Sequence, residues 1–385
     1  MSSLQAQKNR VRILDIAKGI GICMIAVYHL VYRQKDGMAD QGIRSFIWFI
    51  IPFFFIVSGY FYNTAYDNRL EILRHRIITL FVPAAITMCF LHLVGGIYFI
   101  LFHDYTVKDV INDLIVTFFR PEFTQAYYNG FTGGMLFFQL SPVWFIWAMI
   151  WAYLFFYNVS VTAFKSTKNM IIVVTSLIVL GTLLTRLFAP LPWSAGMSPI
   201  FALLILIGAW IRKTDLFDKI ISINVVFAFF ISLFCITVFW ILFKVGGNDN
   251  IYAGNFGNFG IMTTIVFVGQ SVLTGFAYIF LCRIVSMLYF ISDIFSWIGK
   301  NTMVILLYHC FFGMFIDDAL GIHMKPGPYW YIDPLPQEVI TKSIIVLVFA
   351  ILLSCLIVFV RRKVLFYIIE NCQNEYVGHL LDTMI

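Results

Sequence analysis

The sequence predicts an all-α, polytopic integral membrane protein with about ten transmembrane helices. Of its 385 residues, 61% are hydrophobic and only 12% are charged, whereas soluble globular domains carry about 25% charged residues. The mean hydropathy is +0.88, and the apolar residues fall in runs long enough to cross a bilayer. We therefore expect one integral membrane domain over residues 1–385, with the lipid bilayer as its surroundings.

The apolar runs place the predicted helices one after another, joined by polar connections. They fall at about 12–32, 45–64, 77–102, 142–164, 170–188, 199–212, 221–244, 258–282, 293–318 and 340–363. The sixth run is the shortest. Residues 364–385 are left as a short tail, which we expect to lie on the cytoplasmic surface of the membrane.

The basic residues predict the orientation of these helices. Most of the 26 Lys and Arg residues lie in the two tails and in the connections on the same side as the tails. Because cytoplasmic loops carry an excess of Lys and Arg, both termini are predicted to be cytoplasmic, in an inner or plasma membrane. The clustering does not indicate nucleic-acid binding, and seven cysteines without a CxxC pair predict neither a disulfide framework nor a metal site. The sequence does not predict an oligomeric state.

Helix one (12–32) carries ionisable residues, which are costly inside a membrane and therefore suggest a function. Asp15 lies three residues before Lys18, a spacing that allows an ion pair on a helix. Lys18 and His29 are eleven residues apart, which places them on one face about 16 Å from each other. Gly19 would let another helix or a ligand approach closely. Alternatively, the side chains of Asp15 and Lys18 reach the membrane–water interface at one end of the helix, and the imidazole of His29 lies at the interface at the other end.

Polar residues in other predicted helices mark further candidate positions. Ser58 and Gly59 indicate either a close helix contact or backbone polar groups that face a cavity. Arg74 and Arg76 lie at the cytoplasmic end of the third helix, where they serve as topology signals or as ligands for a phosphate-bearing cosubstrate. His309 is a second intramembrane imidazole, midway through the ninth helix.

Two longer connections are predicted on the outer side, at residues 103–141 and 319–339. Both combine carboxylates with aromatic side chains. This combination suits a sugar, whose hydroxyls form hydrogen bonds and whose CH faces stack on rings. An interfacial aromatic belt with solvated loops explains the same composition.

Five segments in this order resemble the acyltransferase-3 family of membrane O-acyltransferases, and more loosely its fucose 4-O-acetylase-like branch. The segments are Asp15–His29, Pro52–Tyr60, Arg74–Pro83, Pro142–Phe145 and Ile298–His309. The resemblance implies transfer of an acyl group, usually acetyl from cytoplasmic acetyl-CoA, to a hydroxyl of a cell-envelope sugar or polysaccharide or of a lipid-linked sugar. Acetyl-CoA is then the cosubstrate, and no metal is expected.

The resemblance also implies roles for individual residues. It assigns His29 as the catalytic histidine, either as general base or as a covalent acyl relay. It assigns Lys18, Arg74 and Arg76 to CoA. Lys18 stands where the family often has arginine, so it keeps the charge but lacks the bidentate fork. Supporting roles, to the substrate or to the structure, fall to Asp15, Ser58, Tyr60, Trp144 and His309.

Two other functions fit a chain of this composition. A transporter or channel for a proton-coupled solute would also place His and Lys residues at the midplane. A non-enzymatic scaffold for envelope assembly would simply pack among lipids. Only an acyltransferase of the kind described above predicts binding of CoA.

Overall fold

The computed structural model describes residues 3–31, 50–62, 69–102, 106–119, 144–187, 191–246, 260–319 and 337–371, and every regular element in these ranges is helical. Some side chains within these helices, including those of His29 and Trp144, lie outside the described part. A π-helical turn, Ile77–Phe81, joins α3 to α4, and a 3-10 turn, Pro192–Met197, precedes α8. The α-helices are α1 (Ser3–Val31), α2 (Ile50–Tyr60), α3 (Arg69–Arg76), α4 (Val82–Phe102), α5 (Val107–Phe119), α6 (Trp144–Ala163), α7 (Thr167–Leu187), α8 (Ser198–Lys213), α9 (Leu216–Ser222), α10 (Val225–Gly246), α11 (Ile261–Val285), α12 (Tyr289–Lys300), α13 (Thr302–Ala319) and α14 (Gln337–Asn371).

Length and apolar composition identify the helices that can cross a membrane. Within the described ranges six segments qualify, and the bent pair α12–α13 makes a seventh if it is one span. The predicted number of ten is therefore not confirmed. The predicted sixth helix does qualify, because the 3-10 turn extends it to Ala195–Lys213. Lipid-facing surfaces are apolar as a bilayer requires: Leu93 on α4 is 63% exposed and Phe234 on α10 is 65% exposed.

Helix α8 lies at the centre of the bundle, where it crosses α2 at very short range. A Cβ atom on Gly59 would lie 1.9 Å from the carbonyl oxygen of Ile205, and one on Gly208 would lie 1.9 Å from that of Ile56. The two backbones therefore touch through a reciprocal pair of glycines. Of the two interpretations of the Ser58-Gly59 pair, the structure shows the close helix contact at Gly59.

Helix α1 makes a second glycine crossing, with α12. A Cβ atom on Gly19 would lie 1.9 Å from the carbonyl oxygen of Phe295, and one on Gly299 would lie 1.7 Å from that of Asp15. The close approach predicted at Gly19 is confirmed, and its partner is a helix. This crossing fixes the inner half of helix one, which carries the Asp15–Lys18 pair.

The predicted ninth helix, 293–318, is not continuous. It is divided into α12 and α13, whose axes differ by 75° at Asn301. The side-chain amide nitrogen of Asn301 donates to the carbonyl oxygen of Trp297 at 2.7 Å. Arg362 of α14 donates to the side-chain oxygen of Asn301 at 3.0 Å. Asn301 thus caps α12 and ties the bend to the last helix.

The π-helical turn between α3 and α4 has a cause in the sequence. Pro83 has no N–H, so it cannot donate to the carbonyl of Thr79 four residues earlier. The N–H of Val82 reaches back instead to the carbonyl oxygen of Ile77. This wide turn sets the angular position of Arg76, the last residue of α3, relative to α4.

Residues 103–141 are not simply the predicted loop, because they contain helix α5. Thr106 and Asp109 form a capping box: the Thr106 N–H donates to the Asp109 carboxylate at 2.9 Å, and the Asp109 N–H donates to the Thr106 hydroxyl oxygen at 3.2 Å. Hydrogen bonds from the Thr106 hydroxyl and N–H lower the pKa of Asp109. The carboxylate is engaged in this cap, so a sugar contact at Asp109 gains no support from the structure.

Several other predictions fall partly or wholly outside the described residues. The last helix continues to Asn371, so the predicted tail 364–385 begins as helix, and residues 372–385 lie outside the described part. Most of the outer connection 319–339 also lies outside it.

Candidate functional site

The predicted ion pair of helix one is present. Lys18 Nζ lies 2.8 Å from Asp15 Oδ1, and Asp15 is the more deeply buried partner. The ammonium group lies 5.8 Å from the centre of the Phe61 ring, just beyond the end of α2. Lys18 is therefore held between α1 and the end of α2, and its charge is already balanced by a carboxylate.

Arg76 has a different environment. Its guanidinium carbon lies 4.9 Å from the centre of the Tyr153 ring on α6, a cation–π arrangement. Among the described residues Arg76 has no carboxylate within ion-pair distance, and its Nε is buried without a hydrogen-bond partner. The positive charge of Arg76 is therefore not compensated by a carboxylate in the described part of the chain.

Two tyrosines lie beside this guanidinium, and a serine is bonded to one of them. The Ser58 hydroxyl is hydrogen-bonded to that of Tyr153. Tyr157 stacks on Tyr153 with ring centres 5.5 Å apart, and Arg76 is near enough to interact electrostatically with both tyrosines. The ring of Tyr62 is tilted against that of Tyr157, with ring centres 5.8 Å apart. We call Arg76, Ser58, Tyr153 and Tyr157 the Arg76 cluster.

Tyr60 and Arg74 take positions at the edge of this region. Tyr60 is buried, and its ring packs 5.2 Å from that of Phe217. Its carbonyl oxygen, like that of Tyr62, accepts a hydrogen bond of 3.2 Å from Arg212, which caps the end of α2. Arg74 is exposed on α3, two residues before Arg76. Tyr60 therefore supports the structure, and Arg74 extends the basic surface outward.

Contacts between basic residues and their neighbours join the predicted cytoplasmic connections at one end of the bundle. Arg12 of α1 pairs with Asp293 of α12 at 2.8 Å. Lys213, at the end of α8, lies 4.8 Å from the ring centre of Phe164, after α6. The Asp15–Lys18 pair and the Arg76 cluster lie toward this same end, which the charge distribution predicts to be cytoplasmic.

The catalytic role of His29, which the resemblance implies, stays a prediction. Helix α1 is continuous from Ser3 to Val31, as the shared face of Lys18 and His29 requires, but the His29 side chain lies outside the described residues. Between them, Ile22 and Ile25 are 1% and 6% exposed. The helix face between Lys18 and His29 is thus filled by packed side chains and is not an open groove.

His309 lies on α13, beside helix one. It is 3% exposed, and its Nδ1 donates to the carbonyl oxygen of Ile305 at 2.8 Å. Ile305 and Ile22 belong to the same buried cluster, so α13 packs along helix one beyond Lys18. The helix that carries His309 therefore packs against helix one. Trp144 begins α6, and its side chain lies outside the described residues.

The sequence analysis did not identify Tyr153 and Tyr157 as site residues. Two hydroxyl-bearing side chains four residues apart share a helix face, and this spacing was the available signal. Aromatic residues make up 18% of the chain, so this spacing is not distinctive. Their contact with Arg76 joins α6 to α3, a long-range pairing that local patterns do not predict.

Comparison with known proteins identifies the family. A family model described as an acyltransferase domain, Acyl_transf_3, matches residues 11–359. No curated protein and no solved structure gave a match. The family match covers helix one, the Arg76 cluster and the bent helix pair, and leaves out only the ends of the chain. The protein is therefore a membrane acyltransferase and belongs to the acyltransferase-3 family.

Proposed function

We propose that the protein transfers an acetyl group from cytoplasmic acetyl-CoA to a hydroxyl of a cell-envelope saccharide or lipid-linked sugar, as in the fucose 4-O-acetylase-like branch. The observation that carries this proposal is the guanidinium of Arg76, which no described carboxylate pairs with, at the basic end of the bundle. A cation taken partly out of water without a counter-ion is unfavourable. An anionic cosubstrate would supply the missing charge, and CoA carries phosphates that arginine binds well.

The other basic residues have unequal roles in this proposal. Arg74, exposed on α3, adds to the positive field that attracts the donor from the cytoplasm. Lys18 is paired with Asp15 at 2.8 Å, so it contributes less net charge than the sequence alone suggested. Lys18 remains a proposed CoA contact through an N–H group that the ion pair does not use, since an ammonium has three donors.

His29 is the proposed catalytic group. As a general base, a neutral imidazole would take the proton of the acceptor hydroxyl while the hydroxyl oxygen attacks the thioester carbonyl. The C–S bond then breaks, and the thiolate leaves as CoA after it gains a proton. As a relay, the imidazole would first form an acyl-histidine and release CoA before the hydroxyl attacks. In either case Ile22 and Ile25 would have to yield if the pantetheine arm follows the face between Lys18 and His29.

NMR of the surface polysaccharide tests this function in cells. We expect O-acetyl resonances in cells with the wild-type chain and their loss with His29→Ala. His92→Gln is the control, because His92 is a buried histidine on another predicted membrane helix, and its Nδ1 donates to the carbonyl oxygen of Met88 in its own helix. Full retention of O-acetyl groups in His29→Ala, with normal membrane insertion, would remove His29 from the mechanism.

The proposed orientation has its own test. Both termini are proposed to be cytoplasmic in the inner or plasma membrane, because the basic end of the bundle must meet cytoplasmic CoA. Tags at each terminus should resist protease in intact cells and become sensitive after permeabilisation. Cleavage of either tag in intact cells would place the Arg76 cluster on the wrong side for this donor.

A further inference from the structure

Tyr157 presents a buried hydroxyl beside the Arg76 guanidinium. The residue is 4% exposed, and its hydroxyl forms no hydrogen bond of standard geometry with the described residues. Buried polar groups of this kind are uncommon, and each requires an explanation. Because no described group holds this hydroxyl at standard hydrogen-bond geometry, we expect its removal to leave the apo fold intact.

A second unsatisfied donor lies beside it. The Nε of Arg76 is also buried without a partner among the described residues, and the guanidinium is close enough to interact electrostatically with Tyr157. Tyr153 lies against both groups, 4.9 Å below the guanidinium and stacked on Tyr157, and its hydroxyl is held by Ser58. The ring of Tyr153 thus fixes the relative positions of the two unsatisfied donors.

We propose that Arg76 Nε and the Tyr157 hydroxyl together bind one phosphate group of the acyl donor, which makes Tyr157 a specificity-determining residue. The inference rests on the proposed function insofar as the donor is CoA. A phosphate oxygen accepts hydrogen bonds from both groups and balances the guanidinium charge. The thioester and the pantetheine amides are neutral, so they cannot provide this balance.

Binding by the purified full-length protein in lipid nanodiscs tests the inference. The ligands are CoA, dephospho-CoA, pantetheine and inorganic pyrophosphate, and the variants are Tyr157→Phe and, as a matched control, Tyr289→Phe. Tyr289 is 77% exposed on α12, with its ring 5.5 Å from Arg12. We expect Tyr157→Phe to weaken CoA binding about tenfold or more, with pantetheine binding unchanged. Tyr289→Phe should bind all four ligands as the wild type does.

Dephospho-CoA identifies which phosphate is bound. If Tyr157→Phe also weakens the binding of dephospho-CoA, the phosphate bound by Arg76 and Tyr157 belongs to the diphosphate. If the binding of dephospho-CoA is unchanged, the bound group is the 3′-phosphate. Equal CoA affinity in the wild type and Tyr157→Phe would overturn the inference. An equal loss for pantetheine would also overturn it, because that loss would reflect a general change of the site.

Pyrophosphate separates this inference from the proposed function. If the wild type binds no CoA, the proposed function fails. A rise in unfolding temperature with pyrophosphate in the wild type, absent in Tyr157→Phe, would still support the phosphate site. No response to pyrophosphate or to CoA in the wild type would overturn both. An unfolding temperature of ligand-free Tyr157→Phe no lower than that of the wild type shows that the fold is intact.

Discussion

Substitution of Gly299 by alanine tests how the position of helix one depends on its crossing with α12. A Cβ atom at Gly299 would lie 1.7 Å from the carbonyl oxygen of Asp15, and the nearest other atoms are the carbonyl carbon of Asp15 and the backbone nitrogen of Gly19. All three are backbone atoms, so no side chain can rotate away. The helices must separate, or the local backbone must deform.

The geometry sets the size of the effect. Real Cβ atoms are essentially never closer than 3.0 Å to another heavy atom, so the contact must lengthen by at least about 1.3 Å. Overpacking of this kind destabilises proteins by about 1–3 kcal/mol or more. A misplacement of about 1 Å that originates far from the chemistry can lower turnover by roughly 100-fold. The displaced residue is Asp15, the partner of Lys18, so we expect both effects in Gly299→Ala.

Two measurements on the purified variant check this prediction, the thermal unfolding temperature and the rate of acetyl transfer. Gly269→Ala is the matched control, because Gly269 of α11 has no atom within 4 Å of an added Cβ. Replacement of a helical glycine in open space should be neutral or stabilising by up to about 1 kcal/mol. A Gly299→Ala protein with wild-type unfolding temperature and activity would show that the backbones of α1 and α12 do not touch as described.

Two further predictions concern the charges of the site. Arg76→Gln should weaken acetyl-CoA binding about tenfold or more, and Arg76→Lys should restore only part of the affinity, because lysine lacks the fork of donors. Calorimetric titration measures both affinities. Unchanged affinity in Arg76→Gln would refute the role of Arg76 in binding acetyl-CoA. Asp15→Asn should destabilise the fold by about 1–3 kcal/mol, since Lys18 loses its partner but stays 21% exposed. Lys18→Arg should be tolerated, and Asp15→Asn with Lys18→Met should cost less than Asp15→Asn alone. Thermal unfolding of the three variants decides this, and a double variant no more stable than Asp15→Asn would contradict the pairing.

The sequence predicted the parts of the structure that depend on local spacing. The three-residue interval between Asp15 and Lys18 predicted their ion pair, which is present at 2.8 Å. The small side chains predicted close approach by a helix or a ligand at Gly19, and a helix contact or a cavity at Gly59; both glycines meet the backbone of a neighbouring helix. Helical geometry alone determines these features, so a single sequence contains them.

Other features were missed although the sequence contains a signal for them. The apolar run 293–318 was interpreted as one helix because mean hydropathy does not register a single polar residue. Asn301 within it marks the 75° bend. The pattern of Thr106 and Asp109, three residues apart, is a capping box that predicts the start of α5 inside the supposed loop.

The Arg76 cluster could not be predicted from local patterns. It joins α2, α3 and α6, and the partner of Arg76 depends on the π-helical turn before α4 and on the packing of α6. The same packing fills the face between Lys18 and His29 with Ile22 and Ile25. Periodicity shows which residues share a face, but not what covers that face.

Transfer of label from [1-14C]acetyl-CoA to the envelope saccharide fraction tests the central claim most directly. The experiment uses inside-out membrane vesicles that contain the wild-type chain, the Arg76→Gln variant or no copy of the chain. We predict labelled, alkali-labile O-acetyl groups with the wild type, a decrease of about tenfold or more with Arg76→Gln at low acetyl-CoA, and none without the chain. Equal labelling in vesicles with and without the chain would contradict the proposed acetyl-CoA-dependent transfer.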